Sequence, residues 1–204
     1  MKTLLRYRDF ARNREFTDNF KGGSFMKIYF TRHGETEWNS RNIICGRTDI
    51  ELSEKGRMQA KELADRLASE HRDIDMIVCS PMKRARDTAG YAAMALGITP
   101  VYDERLREWD YGSFEGKPRD TEGFLENKLE FGCRMAGGGE SVFDLVNRVY
   151  GLIDELCEKY PDRNILLVCH GGVCRVIETY FRDMTRDEFA HFFMGNCELR
   201  WGQK

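Results

Sequence analysis

Two histidines in this chain each follow a short apolar run and precede a glycine. The first, His33, follows the run 26–30 and Arg32, and Gly34 comes next. An open α/β sheet presents reactive groups at the carboxyl ends of its strands. A neutral imidazole is a nucleophile, and an Arg guanidinium matches phosphate oxygens with a planar fork of N–H groups. The pair predicts phosphoryl transfer through a phosphohistidine; a chance Arg-His-Gly tripeptide is the alternative.

The second histidine, His170, ends the most apolar strand candidate of the chain, 164–169, and Gly171 and Gly172 follow it. A fully apolar strand is typical of the centre of a parallel sheet that is covered on both faces. Core packing does not require that two strands both end in His-Gly. We therefore interpret His170 as a second member of the same site.

A basic residue and an acidic segment could complete the chemistry. Ser80-Pro81 is a helix-start signal after the strand candidate 75–79, and it predicts that Arg84 lies one turn into a helix and reaches back over the strand end. The alternative is a solvated helix face, because Arg84 has charged neighbours.

The segment 106–116 places acids among aromatic residues, and apolar surroundings favour a general acid. Spacing alone does not distinguish its three candidates, which are Glu108, Asp110 and Glu115.

A run of three glycines, 137–139, precedes a long amphipathic pattern. Glycines permit close approach to a ligand or form a mobile lid. A plain loop that ends at a helix cap explains them equally well.

Taken in order, these segments resemble the motifs of the histidine phosphatase superfamily, which includes cofactor-dependent phosphoglycerate mutases. The resemblance covers about residues 26–201, and its motifs are Arg32-His33-Gly34-Glu35-Thr36, Ser80-Pro81-x-x-Arg84-Ala85-x-x-Thr88-Ala89, Leu106-x-Glu108-x-x-x-Gly112-x-x-Glu115-Gly116 and His170-Gly171-Gly172. It implies that His33 is the nucleophile and Glu108 the proton donor. It also implies a phosphoryl pocket formed by Arg32, Arg84 and His170, with further phosphate contacts from Asn39 and the backbone N–H of Gly171.

Cys45 departs from the pattern of the family. Many relatives carry Gln, Ser or Thr at this position and contact phosphate there, whereas a thiol is a poorer donor. We expect Cys45 and Gly46 to lie at the substrate site, and the alternative is that the thiol packs among apolar neighbours. An attacking imidazole nitrogen must be unprotonated, so we expect the other nitrogen of His33 to donate to a backbone carbonyl near Gly34 or Gly46.

Phosphoryl transfer depends mostly on positioning and on electrostatic stabilisation of the equatorial oxygens. Two guanidinium groups and a second imidazole could supply this without a metal ion, so we expect neither a metal nor a cofactor. The remaining histidines, His71 and His191, do not have the spacing of metal ligands and are interpreted as structural.

The composition indicates a globular protein with no nucleic-acid or membrane partner. The chain has 204 residues, 41% hydrophobic and 32% charged, with a net charge of −2. It has no apolar run long enough to span a bilayer and no basic footprint for nucleic acid. Seven cysteines, an odd number without C-x-x-C, favour a reducing cytoplasm over a disulfide framework. Dimers are common in the family that the chain resembles, so a homodimer is one expectation, with Phe192, Phe193 and Trp201 either at an interface or in the core.

The first 25 residues differ from the rest in charge, with six Lys or Arg against three Asp or Glu. They contain no secretory signal. We expect a leader over 1–25 and a single domain over 26–204, with Met26 as the hypothetical native start. A basic arm that binds an anionic partner is the alternative.

The elements that must position these residues alternate between strand and helix. The patterns predict strands at 27–31, 75–79, 99–102, 164–169 and 197–201. They predict helices at 53–69, 85–96, 141–160 and 172–180, with a further short helix after the capping box Thr185-x-x-Glu188. Strands and helices that alternate along the chain predict a three-layer α/β/α sandwich with a mainly parallel sheet, and the resemblance to phosphoglycerate mutases implies the same fold.

Within the family, the sequence favours a phosphatase. The mutases carry a long insertion with paired arginines between the acid and the second histidine. Here that stretch is short and holds no Arg-Arg pair. We therefore expect a phosphomonoesterase for a small phosphorylated metabolite: a sugar phosphate, phosphoglycerate, phosphoserine, α-ribazole phosphate or a nucleotide. The alternatives are a phosphoglycerate mutase and an inactive regulatory module that binds phosphate.

Overall fold

The computed structural model describes residues 26–71 and 73–203, and its centre is a sheet of five strands. The strands lie in the order β3-β2-β4-β1-β5. Strands β1 to β4 pair in parallel, and β5 is antiparallel to β1. The prediction of a mainly parallel sheet is therefore confirmed. The strands are β1 (Lys27–Arg32), β2 (Met76–Cys79), β3 (Val101–Tyr102), β4 (Ile165–Cys169) and β5 (Leu199–Gln203).

Helices cover both faces of this sheet. In the described part of the chain they are α1 (Glu37–Ser40), α2 (Glu54–Glu70), α3 (Lys83–Leu96), α4 (Phe124–Leu129), α5 (Val142–Lys159), α6 (Gly171–Phe181) and α7 (Arg186–His191). Two short 3-10 turns, Glu104–Leu106 and Gly112–Phe114, lie between β3 and α4. The short helices α1 and α4 and these two turns were not predicted, because segments of three to six residues carry too little periodicity.

The side chains of β4 point alternately to the two faces of the sheet, and the hydrophobic core is accordingly divided into two parts. Leu166 and Val168 pack with the apolar stripes of α2 and α3, whereas Ile165, Leu167 and Cys169 pack with α5 and α6. Successive side chains of a strand point to opposite faces, so one apolar strand serves both layers. The three-layer α/β/α sandwich is confirmed.

The predicted helix boundaries lie within a residue or two of those observed, because the caps are local. The side chains of Ser53 and Ser141 accept hydrogen bonds from the backbones of Gly56 and Asp144 and so begin α2 and α5. Ser80 does not begin α3 as predicted: the helix starts at Lys83 after Met82, which makes no side-chain cap bond. The hydroxyl of Ser80 therefore remains available for another partner.

The predicted edge strands are longer than, or displaced from, those observed. The strand predicted over 99–102 spans only Val101–Tyr102. The last strand begins at Leu199, not at 197, because Cys197 has a φ of 57°, in the left-handed region. A residue with that φ cannot continue an extended strand.

Strand order brings the predicted site residues to one edge of the sheet. Hydrogen bonding continues past the strand ends, since the His33 N–H donates to the Cys169 carbonyl and the Ser80 N–H donates to the Val168 carbonyl, both at 3.0 Å. The carboxyl ends of β1, β4 and β2 therefore place His33, His170 and Ser80 side by side.

Other features of the described region bear on the remaining expectations. None of its helices is long and apolar enough to cross a membrane. Phe193 and Trp201 are exposed and do not belong to the core, whereas Phe192 packs against it. The leader expected over 1–25 lies outside the described residues.

Candidate active site

His33 is oriented by its own neighbour in the chain. Its Nδ1 lies 2.6 Å from the carbonyl oxygen of Gly34, which can only accept, so Nδ1 carries the proton. The lone pair is thereby placed on Nε2, which accepts a hydrogen bond from Arg84 Nε at 3.2 Å. Burial, followed by the charges of Arg84 and Arg32, lowers the pKa of His33 well below its usual value. At neutral pH the ring is neutral, and its Nε2 is unprotonated and carries the lone pair that can attack phosphorus.

Arg84 is buried at the start of α3, unlike its charged neighbours in sequence. Its Nη1 donates to the Thr48 carbonyl and its Nη2 to the Gly46 carbonyl, both at 2.8 Å. Thr88, one turn along α3, donates to the Arg84 carbonyl and accepts from the Gly34 N–H. The alternative of a solvated helix face therefore does not hold for Arg84, whose guanidinium is fixed against the His33 ring.

His170 faces His33, with ring centroids 5.1 Å apart. Its Nε2 lies 2.8 Å from the Ser80 hydroxyl, which can donate to it, while within the described structure its buried Nδ1 has no hydrogen-bond partner. Burial, followed by the charges of Arg84 and His33, lowers the pKa of His170 well below its usual value. His170 therefore offers a hydrogen bond rather than the positive charge that we had expected from a cationic cage.

Arg32 reaches the same edge from the other face of the sheet. Its Nη1 donates to the Met194 carbonyl at 3.0 Å, and an ideal Cβ on Gly171 would lie 3.7 Å from its Nε. That Nε is buried and has no partner among the described residues. Buried polar groups are almost always hydrogen-bonded, so two unpaired nitrogens around His33, on Arg32 and His170, fit a site for an anion.

Glu108 is distinguished from the other candidate acids by its partners. Both of its carboxylate oxygens accept from the Gly172 N–H at 3.1 Å, in the first turn of α6, and one accepts from the Trp109 N–H. Glu115 instead accepts from backbone N–H groups of the loop 46–48, and Asp110 accepts from the Gly112 N–H. Glu108 is therefore the acid that borders the His33 pocket.

Helix α5 fixes the segment that carries Glu108. Arg148 donates to the Glu108 carbonyl at 3.2 Å and forms an ion pair with Glu140 at 2.8 Å. A Cβ on Gly172 would lie 2.6 Å from Glu108 Oε1, so the carboxylate requires glycine there. The acid is thus held from two sides, by α5 and by the start of α6.

Asn39 and Gly171 lie where side-chain and backbone donors were predicted. Asn39 Oδ1 accepts from the Thr36 N–H in the capping box of α1, which leaves its amide N–H groups for another acceptor. Gly171 is the first residue of α6, where backbone N–H groups lack partners within the helix. Phosphate contact by these two residues stays a prediction.

Cys45 and Gly46 form a wall of the pocket. Cys45 is buried, its Sγ lies 3.8 Å from the Thr48 carbonyl, and burial raises the pKa of its thiol to about 11. The Gly46 N–H donates to Glu115, and the Gly46 carbonyl accepts from Arg84. The structure thus uses the backbone of Gly46 to hold Arg84, and substrate contact by Cys45 or Gly46 stays a prediction.

Two residues at the site were not identified from sequence. Ser80 orients His170. In the sequence, Ser80 belongs to a helix-start signal and to the Ser80-Pro81-x-x-Arg84 motif, but neither signal predicted a role for it at the site. Asn196 donates from Nδ2 to the His33 carbonyl at 2.8 Å. No local motif marks Asn196, because it depends on β5 returning beside β1, and the Cys197 N–H also donates to the Arg32 carbonyl.

The glycine run 137–139 packs against protein backbone. Gly112 has a φ of 55°, and a Cβ there would lie 2.2 Å from the Ala136 carbonyl oxygen. A Cβ on Gly139 would lie 2.4 Å from the Asp110 carbonyl oxygen. The alternative of a plain loop before the cap of α5 is therefore the one that the structure supports.

Within residues 26–71 and 73–203, no three His, Cys, Asp or Glu side chains are grouped as they would be to hold a metal ion. The positive charges that act on His33 are those of Arg84 and Arg32, one from each face of the sheet, and, more weakly, that of Arg119. A phosphoryl group bound there would meet two guanidinium groups, one imidazole and the start of α6.

Comparison with known proteins agrees with this geometry. The family model described as histidine phosphatase superfamily (branch 1) matches residues 28–202. A protein named "Probable phosphatase" from Schizosaccharomyces pombe is 36% identical over 162 residues, 78% of this chain and 74% of the relative. Phosphoserine phosphatase 1 from Hydrogenobacter thermophilus is 34% identical over 183 residues, 84% of this chain and 83% of the relative.

The fold is also similar to solved structures. A phosphoserine phosphatase from Entamoeba histolytica, solved in complex with 3-phosphoglyceric acid, superposes with a TM-score of 0.76 at 29% identity. The match covers 86% of this chain and 89% of that one. The chain therefore belongs to branch 1 of the histidine phosphatase superfamily and is a phosphatase of that family.

Proposed function

We propose that this protein is a metal-independent phosphomonoesterase that hydrolyses a small phosphorylated metabolite through a phosphohistidine on His33. The observation that carries the proposal is the His33 ring, held neutral with its Nε2 lone pair turned into a pocket of guanidinium groups. Relatives named as phosphatases support hydrolysis. The stretch between Glu108 and His170, which holds no Arg-Arg pair, favours hydrolysis over mutase chemistry.

In the first half-reaction, His33 Nε2 attacks phosphorus and the bond from phosphorus to the leaving oxygen breaks. Glu108 gives a proton to that oxygen, so the product leaves as an alcohol. Charge on the equatorial oxygens is met by Arg32 Nε, by His170 Nδ1 and by Arg84 Nε, which turns from the lone pair to a phosphoryl oxygen. Arg32 Nε and His170 Nδ1 have no other partner in the described structure, so among the three donors only Arg84 must change its hydrogen bond when the phosphoryl group binds.

In the second half-reaction, water enters on the side that the alcohol has left. Glu108, now a carboxylate, takes a proton from the water as its oxygen attacks phosphorus. The bond from phosphorus to His33 Nε2 breaks, inorganic phosphate is released and the neutral imidazole is restored. The guanidinium groups supply the positive charge that a metal ion provides in other phosphatases.

The test is phosphate release from a panel of small phosphomonoesters in the presence of EDTA, for the unchanged protein and His33→Ala. We expect release that survives chelation and is lost in His33→Ala. His191→Ala is the matched control, since the His191 side chain is exposed at the end of α7 and its ring lies beside the Asp187 carbonyl. Release abolished by EDTA would contradict the metal-independent mechanism, and no release from any ester would contradict the phosphatase proposal.

We also propose that the protein works in a reducing compartment such as the cytoplasm. All seven cysteines are free thiols, and five of them are buried. The sulfur atoms of Cys169 and Cys174 lie 3.5 Å apart, within hydrogen-bond distance, and form no disulfide bond.

A further inference from the structure

Three buried cations donate to alternate carbonyls of one segment beside the active site. Arg32 Nη1 donates to Met194, Arg175 Nη2 donates to Phe192 at 3.0 Å, and Lys128 Nζ donates to Ala190 at 3.4 Å. We call Arg32, Arg175 and Lys128 the cation row. The three carbonyls follow one another from the last turn of α7 to Met194, which contacts Arg32, so the row leads away from the phosphoryl pocket.

No member of the cation row belongs to an ion pair in the described structure, and the carboxylate that acts on Arg32 and Arg175 is that of Glu108. The members of the row are 8%, 9% and 8% exposed. The Arg175 Nε is buried without a hydrogen-bond partner in the described region, as is the Arg32 Nε. Buried cations are costly unless they are paired, and nothing in the mechanism proposed above uses Arg175 or Lys128.

The pKa values of all three members of the cation row are lowered, as expected for buried cations without ion pairs. Burial, followed by the charges of Arg175 and Arg119, lowers the pKa of Lys128 to about 7. The exposed Arg119 also lowers the pKa of Arg32 and of Arg175, so a fourth cation lies near the row. An anion bound among these groups would restore the positive charge of Lys128 at neutral pH.

The row lies on the side of the site where the leaving group must depart. Arg175 is one turn after Gly172, whose N–H holds the Glu108 carboxylate, and the negative charge of Glu108 acts on Arg175. Tyr111 connects the two regions: a Cβ on Gly172 would lie 3.1 Å from its hydroxyl, and its ring contacts Phe124, over which Lys128 lies. Because Glu108 protonates the leaving oxygen, a leaving group beyond it would extend towards Arg175 and Lys128.

We propose that Lys128 and Arg175 bind a second negative charge on the substrate, so that the preferred substrates are phosphomonoesters whose leaving group carries a carboxylate or a second phosphate on a short carbon chain. This inference rests on the proposed function, because it names the substrate class of the same site. Arg32 would then act on both anions. Its Nε would donate to the phosphoryl group, and its positive charge, at the end of the cation row nearest the phosphoryl pocket, would also attract the second anion.

The test compares two esters of similar size, 3-phosphoglycerate with a carboxylate and glycerol 3-phosphate with a hydroxymethyl group in its place. For Lys128→Met we expect kcat/KM for 3-phosphoglycerate to fall at least about tenfold, mainly through KM, because a charged hydrogen bond is lost. The value for glycerol 3-phosphate should stay within about twofold. Lys128→Arg should recover most of the loss, and Lys61→Met, on the exposed face of α2, should change neither value.

The proposal would be overturned if Lys128→Met caused equal loss on both esters, or no loss on either, in this pair and also in a second pair, fructose 1,6-bisphosphate and fructose 6-phosphate. The melting temperature separates a structural role: removing a buried unpaired cation should leave the melting temperature of Lys128→Met unchanged or higher. The same comparison of kcat/KM for fructose 1,6-bisphosphate and fructose 6-phosphate tests whether the site binds a second phosphate instead of a carboxylate. If Lys128→Met discriminates within only one of the two ester pairs, that pair identifies the anion.

Binding measurements keep this inference separate from the proposed function. By calorimetry, the unchanged protein should bind 3-phosphoglycerate more tightly than glycerol 3-phosphate, and Lys128→Met should remove the difference. That result without any turnover would contradict the phosphatase proposal but support the anion site. Turnover with equal affinity for both esters would contradict the anion site alone.

Discussion

At the scale of single residues, the site is built from hydrogen bonds that each fix one degree of freedom. The Gly34 carbonyl sets the tautomer of His33, Ser80 sets the ring of His170, and the Gly172 N–H sets the carboxyl group of Glu108. Arg84 joins these groups because its guanidinium contacts both the His33 ring and the loop that contains Gly46. Its planar shape is therefore as important as its charge.

Arg84→Lys tests the role of that shape. An ammonium group is compact and cannot donate at once to His33 and to the carbonyls of Gly46 and Thr48. We expect kcat/KM for the best phosphomonoester to fall by about 100-fold or more, as when one transition-state donor is removed. Arg86→Lys is the matched control on the exposed face of the same helix and should retain activity. Full activity in Arg84→Lys would show that charge alone is sufficient.

The residues predicted from sequence were those that belong to motifs: Arg32, His33 and His170 lie at strand ends, whereas Arg84 lies in α3 and Glu108 in a loop. The structure brings Arg32, His33, Arg84, Glu108 and His170 to one edge, while their catalytic roles stay predictions. Asn196 could not be predicted, because its contact with His33 joins positions 163 residues apart and arises from strand pairing. Nor did the sequence show that His170 would be neutral, since its burial is a property of the packed site.

At the scale of elements, the helices follow from local signals and the loops do not. In α2, Ala60, Leu63, Ala64 and Leu67 recur at helical spacing, and the structure buries all four on one face. The segment between Gly116 and Gly139 carried no such signal. It forms α4 only through packing against α7 and the aromatic cluster around Phe124.

Gly151→Ala tests how much of the stability of α5 is local. Gly151 lies in the helix interior, is exposed, and a Cβ there meets nothing within 4 Å. We expect the substitution to raise the free energy of unfolding by about 0.5–1 kcal/mol, the usual difference in helix propensity. Chemical denaturation of both proteins measures it. Gly97→Ala, at a C-cap with a φ of 69°, should instead destabilise, and a gain there would contradict the argument.

At the scale of the whole molecule, the active site has a cost in stability that depends on pH. His33 and His170 both have lowered pKa values in the folded protein, because burial and nearby cations disfavour their charged forms. The unfolded chain takes up these protons near pH 6.5, whereas the folded chain does not. The free energy of unfolding should therefore fall as the pH decreases from 7 to 5.

Urea denaturation at pH 7, 6 and 5 measures that fall. Each histidine contributes at most about 1.4 kcal/mol per pH unit below its unfolded pKa. His33→Gln should reduce the slope of stability against pH, whereas His191→Gln, at an exposed position, should not. Since both variants retain the carboxyl groups, an unchanged slope in His33→Gln would assign the acid sensitivity to those groups.

The registration of β1 against β4 has a consequence for how this protein can diverge. Consecutive residues at the end of β1 send Arg32 towards α6 and His33 towards α3, with Arg32 opposite Cys169. Side-chain direction alternates at every residue of a strand. Inserting or deleting one codon within β1 would thus exchange nucleophile and guanidinium between the two layers and abolish both roles together. Loops tolerate changes in length better than strands do, so the chain can vary in length at 116–139 while β1 keeps its length and the two side chains keep their layers.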